Sequence, residues 1–183
     1  MILHRCFAWS ERVRHDREGG ALWFPRAFQG DGRHDNPSVY GCLYLADREV
    51  SAVVEQLARF RGRPLRPELL RRRGLPLALA AIQLPDRAQV IDLDEPEVLA
   101  AHELRPSLVA TRSRDVTQPQ ALALHRRHRF AAGLRWWSVF EALWANVTIF
   151  ERAASRLTLL DVRRLELDDP ALVEAADLLG LAT

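Results

Sequence analysis

Apolar and polar positions alternate unevenly along the chain, and they predict strands and helices in mixed order. Residues 2–9 (ILHRCFAW) predict a short strand, and the polar run 10–20 predicts a loop ending in a glycine pair. Pro25, Gly30, Gly32 and Pro37 break up residues 21–37, which predicts a long ordered loop of the kind that carries function. VYGCLYLA (39–46) predicts a strand bounded by Pro37 and Asp47. A helix from about 48 to 61 follows, capped by Asp47, with Val50, Val53, Val54 and Leu57 as its buried stripe.

Residues 75–84 and 88–93 predict two strands joined by the turn PDR, and Pro96 opens a short helix over 95–104. Residues 117–130 predict a helix capped by Thr117, with Pro119 tolerated in its first turn. Residues 133–140 and 146–150 predict strands on either side of EALWA, and 157–167 predicts another. A closing helix spans 169–180, with Asp169 as cap and Gly180 as its stop. Strands and helices in this order, without regular βαβ alternation, argue an α+β class.

At 183 residues and 48% hydrophobic, the chain can bury one sizeable core, and a single domain over 1–183 is the expectation. All 26 basic residues are arginine, a bias of genome composition. The net charge is only +2, so nucleic-acid binding would require arginines gathered on one face. The densest run, RGRPLRPELLRRRG (61–74), reads most simply as a solvated connection.

Cys6 and Cys42 lack CxxC or zinc-ligand spacing and read as buried thiols. His102, His125 and His128 lack a ligand pattern, so they read as surface residues and no metal is expected. There is no long apolar leader core and no apolar run of membrane length, so a cytoplasmic, reducing setting is expected.

The candidate chemistry lies in residues 28–57. Arg33, Tyr44 and Glu55 fall at equal intervals of 11, since 44 − 33 = 55 − 44. Glycines flanking Arg33 allow close approach of backbone to a ligand, and an arginine there can clamp a diphosphate through paired N–H bonds. Tyr44 shares a strand face with Tyr40 and can stack on a flat heterocycle. Glu55 lies off the valine stripe, so a functional role requires an open pocket. Taken singly, a solvated arginine, a core tyrosine and a surface carboxylate are the simpler readings. Trp136 and Trp137, being adjacent, point to opposite faces of a strand, and both read as core.

Together, GRHDNP…YGCLYLAD…AVVEQL resembles the RES domain, a bacterial family named for its arginine, glutamate and serine. HRCFAW resembles the family's opening strand with its arginine, here Arg5. RDVTQPQALALHRRHRFAAGLRWWS resembles its later helix and serine-bearing strand. The resemblance implies a mixed split β-sheet with flanking helices, similar to ADP-ribosyltransferases. It implies NAD⁺ as substrate, cleaved at the nicotinamide–ribose bond by phosphorolysis or hydrolysis. Glu55 would stabilise the ribose charge, Arg5 and Arg33 would grip the diphosphate or an inorganic phosphate, and Tyr44 would stack on nicotinamide or adjust the ribose.

The family serine is matched by residue type at Ser138 and by position at Thr117, whose helix N-terminus would suit an anion. His34 departs from the family's aromatic after the arginine. Family members are usually toxins of toxin–antitoxin pairs, which implies an Xre-like antitoxin partner, with nucleic acid met only through it. Protein ADP-ribosylation is the enzymatic alternative. A module binding nucleic acid or protein is the non-enzymatic one.

Overall fold

Two compact units account for the described residues, which in this computed structural model are 1–181. The first comprises residues 1–23, 46–83 and 158 onward. Its strands are β1 (Ile2–Ala8), β3 (Arg71–Arg72), β4 (Leu75–Gln83) and β8 (Thr158–Arg164). β1 pairs antiparallel with β4 along its whole length, from Ile2↔Gln83 to Ala8↔Leu77. β8 pairs antiparallel with β4, shifting register between Ala81 and Ile82. Leu77, Leu79 and Ile82 of β4 are fully buried.

The apolar sides of helices α1 (Glu49–Leu57) and α5 (Pro170–Leu179) bring them together in this unit. Val53 and Leu57 of α1 and Leu172 of α5 are buried completely, as the apolar period predicts. The Asp169 carboxylate accepts from Ala171 N–H at 2.9 Å, and Gly180 adopts φ 60° just past the last turn, so both ends of α5 are capped as expected. α1 is shorter than predicted. Its cap position is Arg48, which makes no side-chain cap bond, and after Leu57 the chain tightens into a 3-10 turn over residues 58–60.

The second unit comprises residues 24–45 and 84–157. Strand β2 (Cys42–Ala46) lies in it apart from its last residue, Ala46, which pairs with His4 in the first unit's sheet. β2 neighbours β7 (Ala145–Phe150), then β6 (Gly133–Trp137), then β5 (Val90–Asp92). β6–β7 is antiparallel and β5–β6 parallel, so the pairing is mixed and the α+β class holds. Every residue of β7 is buried. Helices α2 (Pro96–Ala101), α3 (Pro106–Ala110) and α4 (Arg114–Arg127) complete the unit. Ala121 and Leu124 of α4 join Tyr40, Cys42, Leu134, Trp136 and Phe150 in its core, with Trp137 half-buried against it.

Several expectations are corrected here. α4 begins three residues earlier than predicted, so Thr117 is buried inside the helix. Its hydroxyl donates to Ser113 O at 3.2 Å, the i−4 bond of a helical threonine. β6 ends at Trp137, because the backbone turns through residues 138–144, closed by Ser138 N–H donating to Trp144 O. α3 and β3 were not anticipated. His125 is only partly exposed and stacks on Tyr40 at 4.2 Å between ring centroids. Cys6 and Cys42 are buried free thiols. No described helix is long and apolar enough to cross a membrane.

Candidate functional site

In the second unit, the loop over residues 28–40 is held by one acid. Asp35 Oδ2 accepts from Gly30 N–H (2.9 Å) and Gly32 N–H (2.7 Å), and Oδ1 accepts from the Tyr44 hydroxyl (2.7 Å). The same hydroxyl accepts from His34 N–H at 2.9 Å. Tyr44 therefore braces the loop from β2, and burial pushes its phenol well above the usual range. A Cβ on Gly32 would come within 2.5 Å of both the Asp35 carboxylate and the Tyr44 hydroxyl. Glycine is required at residue 32 by contact.

α4 clamps the loop from the side. Gln118 Nε2 donates to Gly30 O (2.7 Å) and Gly32 O (2.9 Å), and Arg114 Nε donates to Asp31 O (2.7 Å). Asn36 Nδ2 returns a bond to Gln118 O at 3.0 Å.

The braced loop presents Arg33 in a fixed attitude. Its Nη1 donates to Val109 O (2.7 Å) and Thr111 O (2.6 Å), the orphan carbonyls where α3 ends. Its guanidinium stacks 4.6 Å from the Trp136 ring, and the residue is only 6% exposed. The expected solvent-facing loop arginine is thus a largely buried cation that caps a helix.

His34 fills a slot suited to an aromatic ring, edge-on to Trp136 at 5.5 Å. Burial, then the Arg33 charge, push its pKa down to about 3, so the imidazole is neutral near physiological pH. Thr148 Oγ1 accepts from Trp136 Nε1 (3.2 Å) and shares a 2.8 Å bond with His34 Nδ1.

Of the two candidate hydroxyls, Thr117 Oγ1 is spent within α4 as described. Ser138 is buried at the end of β6, and its Oγ accepts from Phe140 N–H at 3.2 Å.

Arg5 and Glu55 belong to the first unit. On β1, Arg5 Nη1 donates to Ala21 O (2.6 Å) and Gly20 O (3.2 Å), which ties down the glycine-ended loop. Burial lowers its pKa to about 9, and Arg72 adds to that lowering as a like charge. Glu55 is exposed on α1, off the buried face, where the helical period places it. Among the described residues, no group of three or more His, Cys, Asp or Glu is arranged to hold a metal ion.

A family model described as the RES domain matches residues 3–170. The chain belongs to the RES-domain family. The match includes Arg5, Arg33, Tyr44, Glu55, Thr117 and Ser138. Among solved structures, this RES domain resembles a chain in the crystal structure of the M. tuberculosis MbcT–MbcA toxin–antitoxin complex. The TM-score is 0.67 at 18% identity, covering 98% of this chain and 88% of that one. At that identity the likeness is one of fold. No curated protein matches the chain.

Sequence reasoning missed Asp35, Gln118 and Thr148 as organisers of the RES loop. For Asp35 a signal exists: an acid following spaced glycines and preceding Asn-Pro is a turn-forming pattern. For Gln118 and Thr148, the partners lie 86 and 114 residues away in the chain, and no local pattern marks them.

Proposed function

We propose that this RES domain consumes NAD⁺ by cleaving the nicotinamide–ribose bond, and that it is the toxin of a toxin–antitoxin pair. The family match over 3–170 carries the reading. The structurally similar chain, taken from a toxin–antitoxin complex, supports an antitoxin partner, and the family resemblance implies one of Xre type. In the reaction the bond from the ribose C1″ to the nicotinamide nitrogen breaks and its electron pair leaves with nicotinamide. An oxygen of phosphate or water then bonds to C1″ and sheds a proton. Positive charge builds on the ribose as the leaving group departs, and a carboxylate stabilises it. Glu55 takes that role. It is exposed on α1, off the buried face. Arg33 and Arg5 supply cation for the diphosphate or an incoming phosphate, Tyr44 adjusts the ribose or nicotinamide, and Ser138 is the family hydroxyl. Inside α4 and bonded to Ser113 O, Thr117 is the weaker candidate.

Glu55→Gln gives the cleanest test, because Glu55 lies off the buried face of α1. Wild-type protein, freed of any partner, is expected to deplete NAD⁺ and release nicotinamide, and Glu55→Gln to lose at least about 100-fold in rate with unchanged thermal unfolding. Product analysis with and without phosphate separates ADP-ribose 1″-phosphate from ADP-ribose, and label on protein would select ADP-ribosylation instead. Intact NAD⁺ under all these conditions would overturn the proposal.

A further inference from the structure

The first unit carries a feature that NAD⁺ chemistry does not use. Between residues 59 and 73 the chain holds seven arginines and one acid, Glu68. Arg59, Arg61, Arg63 and Arg66 are all exposed, as are Arg71, Arg72 and Arg73. The last three occupy a tight hairpin in which β3 pairs with the start of β4 through Arg72↔Leu75 and Arg71↔Pro76. The two turn residues, Arg73 and Gly74, both have positive φ, 51° and 80°. Such a turn ordinarily takes asparagine, aspartate or glycine at its first central position. Here an arginine holds that position in a backbone conformation that L side chains disfavour.

The hairpin therefore places a guanidinium at its tip against local preference, with two more on the strand behind it. Arg72 donates to Gln56 Oε1, a neutral acceptor, and Arg71 donates to Gly74 O. The Arg72–Gln56 bond sets the hairpin against the last turn of α1, three residues before Arg59, and like-charge crowding by Arg59 and Arg73 adds to burial in pulling the Arg72 pKa down.

We infer that the arginine hairpin 71–74 and the segment 59–66 before it form a surface for the phosphate backbone of double-stranded nucleic acid. Planar guanidinium groups match phosphate oxygens in pairs. The exposed residues of the surface are almost all charged, proline or glycine, while Phe60, Leu65 and Leu69 are half-buried. A protein partner would call for an apolar interface core depleted of charge. Nucleic-acid interfaces are far more positive. Residues 59–74 hold no exposed aromatic to stack on bases, so contact is with the backbone and independent of sequence. This is a direct contact, whereas the family resemblance implies nucleic acid only through an antitoxin.

The test measures anisotropy of a short fluorescein-labelled DNA duplex titrated with the full chain across a salt series. Three proteins are compared: wild type, Arg61→Gln/Arg63→Gln/Arg66→Gln, and the charge-matched control Arg12→Gln/Arg17→Gln/Arg126→Gln. Each phosphate neutralised contributes about 0.9 to the magnitude of the slope of log K against log salt. The first variant is expected to lower that magnitude by about 2–3, with the control within about 1 of wild type. Absence of salt-dependent binding, or equal losses in both variants, would overturn the inference. So would poly-glutamate displacing the duplex at equal charge concentration, which would assign the surface to an acidic protein. Thermal unfolding of all three proteins checks that they fold, and a second variant at the hairpin, Arg73→Asn, suits the turn and removes the tip charge. It is expected to weaken duplex binding while holding or raising stability. The readout does not involve NAD⁺, so its result stands apart from the enzymatic reading.

Discussion

At the scale of single residues, the loop over 28–40 depends on groups whose chemistry is spent inward. Asp35 receives three hydrogen bonds, and Tyr44 both gives and receives one. Tyr44→Phe strands the His34 N–H and removes a donor from a buried carboxylate, so a loss of about 1–3 kcal/mol is expected in urea unfolding. Gly32→Ala forces a methyl group against the same two oxygens and is expected to cost about 1–3 kcal/mol, with loss of NAD⁺ consumption because Arg33 is the next residue. A Gly32→Ala protein as stable as wild type would show that the loop yields without strain. The equal spacing of Arg33, Tyr44 and Glu55 draws attention to residues 28–57. It could not reveal that the phenol's partner is an aspartate two residues from the arginine, since that bond exists only once β2 lies beside the loop.

At the scale of elements, the capped ends of α5 were legible and the start of α4 was not. Asp169 and Gly180 act locally, so their residue types suffice. Thr117 has the same local credentials, yet the helix runs through it from Arg114, because Gln118 and Arg114 are engaged with the loop at residues 30–32. In the first unit, Arg163 of β8 donates to both oxygens of Glu49 (2.9 and 2.8 Å) and to Asp169 (2.9 Å), linking the start of α1, β8 and the cap of α5. The Arg163 hydrogen bonds hold the Glu49 carboxyl below its ordinary value. Stability from this pairing is present above the unfolded carboxyl's pKa of 4.5 and is lost as pH falls through the lower folded value. Asp169→Ala removes the cap and one Arg163 partner together, with an expected loss of about 1 kcal/mol from the cap alone. Thermal unfolding near neutral pH measures that loss, and a change within error would show the cap to be redundant.

At the scale of the whole molecule, acid sensitivity comes from histidines kept neutral as well as from carboxylates. Burial lowers the pKa of His34 to about 3 and of His125 to about 4, against 6.5 when unfolded. Between those limits the unfolded chain binds more protons, so stability falls as pH falls below 6.5. His34 is expected to remove about 2 kcal/mol by pH about 5, at about 1.4 kcal/mol per pH unit, and the partly exposed His125 less, because solvent screens it. Urea midpoints at neutral pH and at about pH 5 would show this, and His34→Phe is expected to flatten the dependence. An unaltered slope in that variant would mean that His34 is not held neutral. The order of elements foretold an α+β fold, and the spacing of the cysteines foretold buried thiols. Neither signal speaks of a buried histidine beside a buried arginine, which needs Trp136 and Thr148 from distant strands.

The bonds from Arg33 to the end of α3 have an implication for genetics. On the proposed toxin reading, a screen that collects harmless alleles by survival would recover Arg33 replacements that have lost the scaffold along with the proposed chemistry, and such alleles would be scarce as soluble protein. Glu55 replacements from the same screen would accumulate to normal levels. Abundance, measured beside viability, would sort the two classes without an enzyme assay.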